Sequence, residues 1–213
     1  MPAQRITTDP RALAGRARSL IESPAQRRLL GIVGCPGSGK STLSAQLCDL
    51  LAGSAVIVPM DGFHLDNPVL EALGRRDRKG AIDTFDVAGF VSLLTRLAEA
   101  KEEVTYAPRF DRDREVTVAS SIPVPREVPL VIVEGLYLLQ TEGGWEQVAP
   151  LLDEVWFLDV PDEERMHRLV ARRMSGGESR EQATAWVLEV DQPNALRVAA
   201  GRERADLIVD LVV

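Results

Sequence analysis

Short apolar runs alternate along the chain with apolar stripes that repeat at helical spacing. Runs at 29–33, 55–59, 104–106, 130–133, 155–158 and 207–209 predict strands. Helices are predicted to begin after a Thr8 or Asp9 cap, over Leu43 to Leu51, after an Asp86 cap, near Pro161 and at 181–188. We expect the first helix to end near Ser23 and Pro24. Strands and helices that alternate in this way predict an α/β fold with a doubly wound, mainly parallel sheet.

A glycine-rich segment joins the first apolar run to the stripe that begins at Leu43. It reads Gly34, Cys35, Pro36, Gly37, Ser38, Gly39, Lys40, Ser41 and Thr42. Two glycines with four residues between them, followed by Lys and Ser/Thr, are typical of a loop whose backbone N–H groups hold phosphates. Lys40 is expected to reach the β and γ phosphates, and Ser41 to offer its hydroxyl to Mg²⁺. The sequence therefore predicts a nucleoside triphosphate site between a strand and a helix.

Composition limits the class of protein. The 213 residues are 45% hydrophobic and 27% charged, which predicts one globular domain over 1–213, with an N-terminal helix within 1–27 and a small helical lid at about 161–180. The net charge of -7 argues against a nucleic-acid partner. We expect no membrane partner and a cytoplasmic location, because no apolar run approaches the roughly 18 residues of a membrane span and the segment from Met1 to Asp9 lacks an apolar signal core. Cys35 and Cys48 do not suggest a disulfide.

Two carboxylates follow predicted strands. Asp61 comes just after the run at 55–59 and precedes Gly62, which would let a substrate approach closely. It is a candidate general base for a hydroxyl, or a turn cap with Asn67 nearby. Glu134 ends the run at 130–133 and is a candidate for contact with Mg²⁺ or its water. In a doubly wound sheet both would lie with the phosphate loop outside the carboxyl ends of the strands.

Clusters of arginine suggest further contacts. Arg165, Arg168 and Arg172 share one helical face, so they either close over a triphosphate or form a solvated face. The segment from Tyr106 to Arg114, which contains Arg109 and Arg112, is predicted to be a substrate-facing loop, or a surface segment whose charges pair with one another. His64 either touches substrate or packs. The cluster at 75–79 could hold a substrate phosphate, although a solvated loop is favoured.

The motifs resemble those of the phosphoribulokinase/uridine kinase family of P-loop kinases, especially its nucleoside/nucleotide kinase-like or fructose-transport-system kinase subgroup. The matching segments are 34–42, 60–67, 79–86, 134–137, 165–168 and 191–195. The resemblance implies the P-loop nucleoside triphosphate hydrolase fold, ATP and Mg²⁺ as cofactors, Asp61 as base, Glu134 near the metal, and Arg165, Arg168 and Arg172 as lid arginines. It also implies that Asn194 lies at the adenine pocket.

The predicted function is an ATP-dependent kinase that phosphorylates a hydroxyl of a small, sugar- or nucleoside-like metabolite. Asp61, Lys40, Arg165 and Arg168 are the candidate catalytic residues, and His64, Tyr106, Arg109 and Arg112 are the candidate substrate residues. Uridine/pantothenate-type and nucleotide kinases stay open, as does a non-catalytic ATP-binding switch or sensor. A homodimer is a further possibility. Gly62-Phe63-His64 is nearer the pantothenate kinase form than the Ser-Phe-Tyr of uridine kinases.

Overall fold

A six-stranded parallel sheet organises the structure, a computed structural model that describes residues 3–22, 27–112 and 114–212. Its strands are β1 (Gln4–Thr8), β2 (Arg28–Gly34), β3 (Ala55–Pro59), β6 (Leu130–Gly135), β7 (Glu154–Leu158) and β8 (Leu207–Leu211). Their order is β1-β8-β7-β2-β6-β3, and every neighbouring pair is parallel. Two further strands, β4 (Val104–Asp111) and β5 (Val116–Pro125), form a separate antiparallel hairpin.

Seven α-helices lie within the described ranges. They are α1 (Pro10–Ile21), α2 (Lys40–Leu50), α3 (Asn67–Ala72), α4 (Val87–Glu99), α5 (Asp162–Ser175), α6 (Arg180–Trp186) and α7 (Gln192–Ala199). Side-chain carboxylates of Asp9 and Asp86 cap α1 and α4, as the sequence predicts. A π-helical turn, Val187–Asp191, continues α6 into α7. None of the helices described here is long and apolar enough to span a bilayer.

Helices cover both faces of the sheet, because its central strands carry apolar side chains on both faces. In β2, Leu29 and Val33 belong to one buried cluster, whereas Leu30 and Ile32 belong to another. Successive strand side chains point to opposite faces, so these two clusters lie on either side of the sheet. Helices α1 and α2 cover one face, and α4 covers the other. This arrangement is the predicted doubly wound α/β fold.

The order of the central strands places the predicted site. Strand β6 lies between β2 and β3 and runs parallel to both. The phosphate loop follows β2, Asp61 follows β3, and Glu134 lies at the end of β6. The three segments therefore leave the same edge of the sheet side by side.

Three local predictions are corrected. The N-terminal segment contains β1 as well as the predicted helix; β1 pairs with β8 at the edge of the sheet. The strand predicted at 104–106 is longer and belongs to the hairpin rather than to the main sheet. The predicted substrate loop is therefore largely strand β4 and the following turn. The predicted end of the first helix, at Ser23 and Pro24, lies outside the described residues.

Candidate active site

Two glycines of the phosphate loop, which lines a cleft, adopt an unusual backbone conformation. Gly37 and Gly39 have φ values of 80° and 89°, in the left-handed region that glycine adopts at little cost. Gly39 precedes α2, and no side chain among the described residues caps the N-terminus of that helix. The free N–H groups of an uncapped helix N-terminus favour a bound anion.

Lys40 lies across the loop that precedes it. Its Nζ donates hydrogen bonds to the carbonyl oxygens of Gly34 at 2.9 Å and Cys35 at 3.1 Å. Burial lowers the pKa of the Lys40 ammonium, and the nearby carboxylates of Glu134 and Asp61 oppose that shift. The ammonium is thus held in place by neutral carbonyl groups, and an incoming phosphate would relieve its desolvation.

Ser41 and Glu134 form a pair of oxygen ligands beside the loop. The Ser41 hydroxyl donates to Glu134 Oε1 at 3.0 Å. Glu134 is only 8% exposed, and its Oε2 is buried with no hydrogen-bond partner among the described residues. Burial raises the pKa of this carboxyl group. One hydroxyl and one under-satisfied carboxylate next to a triphosphate site suit Mg²⁺, which keeps several waters and takes phosphate oxygens as its other ligands.

Asp61 lies in the short 3₁₀ turn, Met60–Phe63, that follows β3. Its Oδ2 accepts a hydrogen bond from Arg112 Nη2 at 2.7 Å, and no described residue bonds to its Oδ1. The next residue, Gly62, leaves no room for a side chain, since an added Cβ would lie 2.5 Å from the carbonyl oxygen of Pro108. Strand β4 therefore packs directly on the turn that carries Asp61.

His64 forms part of an aromatic wall. Its ring centroid lies 4.1 Å from that of Phe85 and 4.7 Å from that of Phe110. Its Nδ1 lies 2.7 Å from the carbonyl oxygen of Asp61, so Nδ1 carries the proton that it donates. Burial lowers the pKa of the imidazole, which favours the neutral ring.

These groups line one cleft of about 650 Å³. Of the described residues that line it, seven are cationic and four are acidic, whereas the whole chain carries a net charge of -7. The cationic residues are Lys40, Arg76, Lys79, Arg112, Arg168, Arg172 and Arg173, and the acidic residues are Asp61, Glu115, Glu134 and Asp191. A positive cleft in an acidic protein concentrates anionic ligands.

Several known proteins similar to this chain are named as kinases. A crystal structure from Silicibacter sp. TM1040, named as a candidate fructose transport system kinase, superposes with a TM-score of 0.85 at 38% identity, covering 93% of this chain and 98% of that one. A candidate uridine kinase of Schizosaccharomyces pombe is 36% identical over 78% of this chain and 74% of its own length. The uncharacterized Escherichia coli protein YggC is 35% identical over 89% of this chain and 80% of its own. No protein-family profile matches the sequence.

The chain belongs to the phosphoribulokinase/uridine kinase family of P-loop kinases. Membership implies ATP use and a small-molecule substrate. In this P-loop kinase, six predicted phosphate-loop residues line the cleft: Pro36, Gly37, Gly39, Lys40, Ser41 and Thr42. Gly34, Cys35 and Ser38 lie behind them and are buried.

The arginines that the sequence assigns to a lid have different surroundings. Arg168 and Arg172 line the cleft, and Arg168 also contacts Glu164 and the carbonyl oxygen of Gly37. Arg165 does not line it, which corrects the expectation of a three-arginine face over the phosphates. Its side chain is 1% exposed and donates to the carbonyl oxygen of Pro36 at 2.9 Å, to Asp162 at 2.6 Å and to Gln192 at 3.2 Å. Arg165 thus ties the lid helix to the underside of the phosphate loop.

Of the predicted substrate residues, too, some line the cleft and others do not. His64 and Arg112 line the cleft of the kinase, whereas Tyr106 and Arg109 do not. Tyr106 is 53% exposed, and Arg109 pairs with Asp111 on the hairpin surface. The hairpin pairing directs these two side chains away from the site that the sequence predicted for them.

Several cleft residues of the kinase were missed or undervalued by sequence reasoning. Arg76 and Lys79 belong to the charged cluster for which a solvated loop was favoured. Glu115 carried no signal that separated it from other surface charges. Asp191 entered only as part of the family segment 191–195, and Arg173 only as a neighbour of the predicted lid arginines. Asn194, assigned from the family resemblance, lines the cleft at the start of α7.

Proposed function

We propose that this kinase transfers the γ-phosphoryl group of ATP to a hydroxyl group of a small metabolite. The observation that carries the proposal is the meeting of the phosphate loop, Asp61 and Glu134 at the ends of three adjacent parallel strands, in one positively charged cleft. Phosphoryl transfer needs positioning, charge neutralisation and a group that takes the acceptor's proton, and these segments offer each of them.

Lys40, Arg168 and Arg172 would hold the phosphates. Lys40 is fixed by the loop carbonyls, and the two arginines project from α5 into the cleft. Cationic groups placed before the reaction stabilise charge on the transferring group without reorganisation. Arg165 acts as a positioning residue, because it holds the loop through Pro36. Asn194 would contact the adenine at the far end of the cleft.

Ser41 and Glu134 would hold Mg²⁺. Their hydroxyl and carboxylate oxygens already lie 3.0 Å apart, and Glu134 Oε2 is buried without a described partner. When bound, Mg²⁺ supplies positive charge to the β and γ phosphates.

Asp61 is the general base in this proposal. Its Oδ2 is held by Arg112, which leaves Oδ1 to accept a proton from the acceptor hydroxyl. The close packing of β4 on Gly62 fixes the turn that presents the carboxylate. Arg112 orients Asp61 from the hairpin, so the hairpin is part of the acceptor side of the site.

A coupled ADP-release screen tests the function. Wild-type protein with ATP and Mg²⁺ is assayed over sugars, nucleosides, hydroxy acids and their monophosphates. At least one compound should raise ADP release well above the acceptor-free rate, with a matching phosphorylated product by mass spectrometry. A protein that binds ATP tightly but shows no acceptor-dependent turnover would instead support the sensor alternative.

A further inference from the structure

The acceptor side of the cleft contains an unneutralised cation. Of the seven cationic residues in the cleft, four form salt bridges: Arg76 with Glu115, Arg112 with Asp61, Arg168 with Glu164, and Arg173 with Glu178. The other three, Lys40, Arg172 and Lys79, pair with no carboxylate in the described part of the chain. Lys40 and Arg172 are on the nucleotide side, where phosphates would neutralise them. Lys79 is on the acceptor side.

The position of Lys79 is well defined. Its Nζ donates to the side-chain oxygen of Asn67 at 2.6 Å and to the backbone oxygen of Glu115 at 2.9 Å. The ammonium also lies 5.0 Å from the centroid of the Phe110 ring. These contacts use two of its three donors and leave one for a ligand.

The surroundings of Lys79 are electrostatically incomplete. Its hydrogen-bond partners are both neutral oxygens, and burial lowers the pKa of its ammonium. Among the charged groups that act on it, Glu115 and Asp66 attract the proton and Arg76 repels it. A partly buried cation without an ion-pair partner carries a desolvation cost that a bound anion would offset.

Among the described residues, no other group on the acceptor side takes this role. Arg76 is occupied by the carboxylate of Glu115 at 2.6 Å, and Arg112 by that of Asp61 at 2.7 Å. His64 already donates its Nδ1–H to the backbone, and burial lowers the pKa of its imidazole, which disfavours a positive charge there. Lys79 is therefore the acceptor-side cation that no described carboxylate neutralises. The adjacent Arg76 could bind an anion only by giving up its salt bridge with Glu115.

We propose that the phosphoryl acceptor carries an anionic group, a carboxylate or a phosphate, and that Lys79 binds it. That the anion belongs to a phosphoryl acceptor rests on the proposed function. The binding of an anion at Lys79 does not depend on turnover. The anion would lie beside Phe110, at the opposite end of the acceptor from the hydroxyl that meets Asp61. Neutral sugars and nucleosides would leave Lys79 unpaired and bind less well.

The first test measures anion binding without catalysis. Wild-type protein is saturated with Mg²⁺ and a non-hydrolysable ATP analogue, which fills the nucleotide side, and inorganic phosphate is then titrated and followed by ³¹P NMR. Acetate, detected by ¹H NMR, forms a parallel titration that separates phosphate from carboxylate preference. We expect saturable binding of at least one anion and a Kd about tenfold or more weaker in Lys79→Gln, since the variant loses a charge-assisted hydrogen bond to the anion.

Two variants control for structure. Arg78→Gln removes a neighbouring cation that pairs with Asp83 outside the cleft, and it should bind as wild type does. Lys79→Arg keeps the charge and should retain at least part of the affinity. Absence of saturable binding in wild type, or equal binding in Lys79→Gln, would overturn the proposal. A fall in Lys79→Gln that Lys79→Arg shares in full would also overturn it, because the effect would then be one of packing.

The second test uses turnover and separates the two proposals. Glycerol, glycerate and glycerol 3-phosphate form one matched set, and ribose with ribose 5-phosphate forms another. An anionic member should exceed its neutral counterpart in kcat/KM by about tenfold or more, and Lys79→Gln should raise the KM for that member while the KM for ATP stays unchanged. Preference for the neutral members would refute the anion site. No turnover with any acceptor in the screen, together with intact phosphate binding, would refute the kinase proposal and leave the anion site standing.

Discussion

Replacing Gly62 by alanine should disturb both stability and chemistry, because the residue separates Asp61 from the hairpin. The added Cβ would lie 2.5 Å from the carbonyl oxygen of Pro108 and 2.8 Å from its carbonyl carbon. Both are backbone atoms, so no flexible side chain can move aside. The turn or β4 must shift by roughly 0.5–1 Å to restore an ordinary contact, and overpacking of this kind costs about 1–3 kcal/mol.

The expected loss of stability corresponds to a fall in Tm of about 2–12 °C for a chain of this length. The same shift moves Asp61 relative to Arg112, or the hairpin relative to Asp61. Since a displacement of about 1 Å at a reacting group can cost about 100-fold in rate, we expect kcat to fall by one to two orders of magnitude while ATP affinity changes little.

Gly15→Ala is the matched control. Gly15 lies in α1, and an added Cβ would meet nothing within 4 Å. The same chemical change there should leave Tm unchanged or raise it, because alanine stabilises a helix by up to about 1 kcal/mol relative to glycine. Thermal denaturation, ATP titration calorimetry and ADP release are measured on both variants. If Gly62→Ala has the same Tm and kcat as wild type, the close packing of β4 on the Asp61 turn contributes neither to stability nor to turnover, and the reasoning is refuted.

The remaining predictions concern the metal and the phosphate loop. Because burial raises the pKa of Glu134, Mg²⁺·ATP binding should release a proton and should weaken as the pH falls through that raised pKa. Calorimetry between pH 5 and 8 should show this loss of affinity in wild type and a smaller pH dependence in Glu134→Gln. A wild-type affinity that does not change with pH would contradict the prediction. Arg165→Met should leave the carbonyl of Pro36 without its donor, which should lower the free energy of unfolding by roughly 1–3 kcal/mol and weaken ATP binding. Replacement of an exposed arginine, Arg180→Met, should do neither. Equal ATP affinity in the two variants would show that Arg165 does not position the loop.

The sequence predicted the central sheet well because its strands are short, apolar and bounded by informative residues. Strand β3 ends as predicted before Asp61, and Glu134 lies at the end of β6. Covered parallel strands leave this kind of continuous apolar signal, and a carboxylate at the end of one stands out against it.

The edge strand and the hairpin gave weaker signals. Strand β1 reads Gln-Arg-Ile-Thr-Thr and contains one strongly apolar residue, since it needs only to complete the sheet beside β8. Strand β5 is half-buried or exposed at every position except Val124, and it includes two prolines. Its stability comes from pairing with β4, a partner that periodicity within one segment cannot reveal.

The arginines show a different limit. Helical spacing predicts that Arg165, Arg168 and Arg172 share a face, but not what that face contacts along its length. The first turn of α5 lies under the phosphate loop, so Arg165 is buried, whereas Arg168 and Arg172 reach the cleft. Lys79 and Arg76 were undervalued for the same reason, because the hairpin that brings Phe110 and Glu115 to them is distant in sequence.

The most direct test of the central claim is acceptor-dependent ADP release by wild type and Asp61→Asn, with ATP affinity measured on the same preparations. The account predicts that Asp61→Asn loses about two to four orders of magnitude in kcat and binds ATP with nearly unchanged affinity, because Asp61 takes the acceptor's proton and does not hold the nucleotide. Unchanged turnover of a verified acceptor by Asp61→Asn would contradict the account.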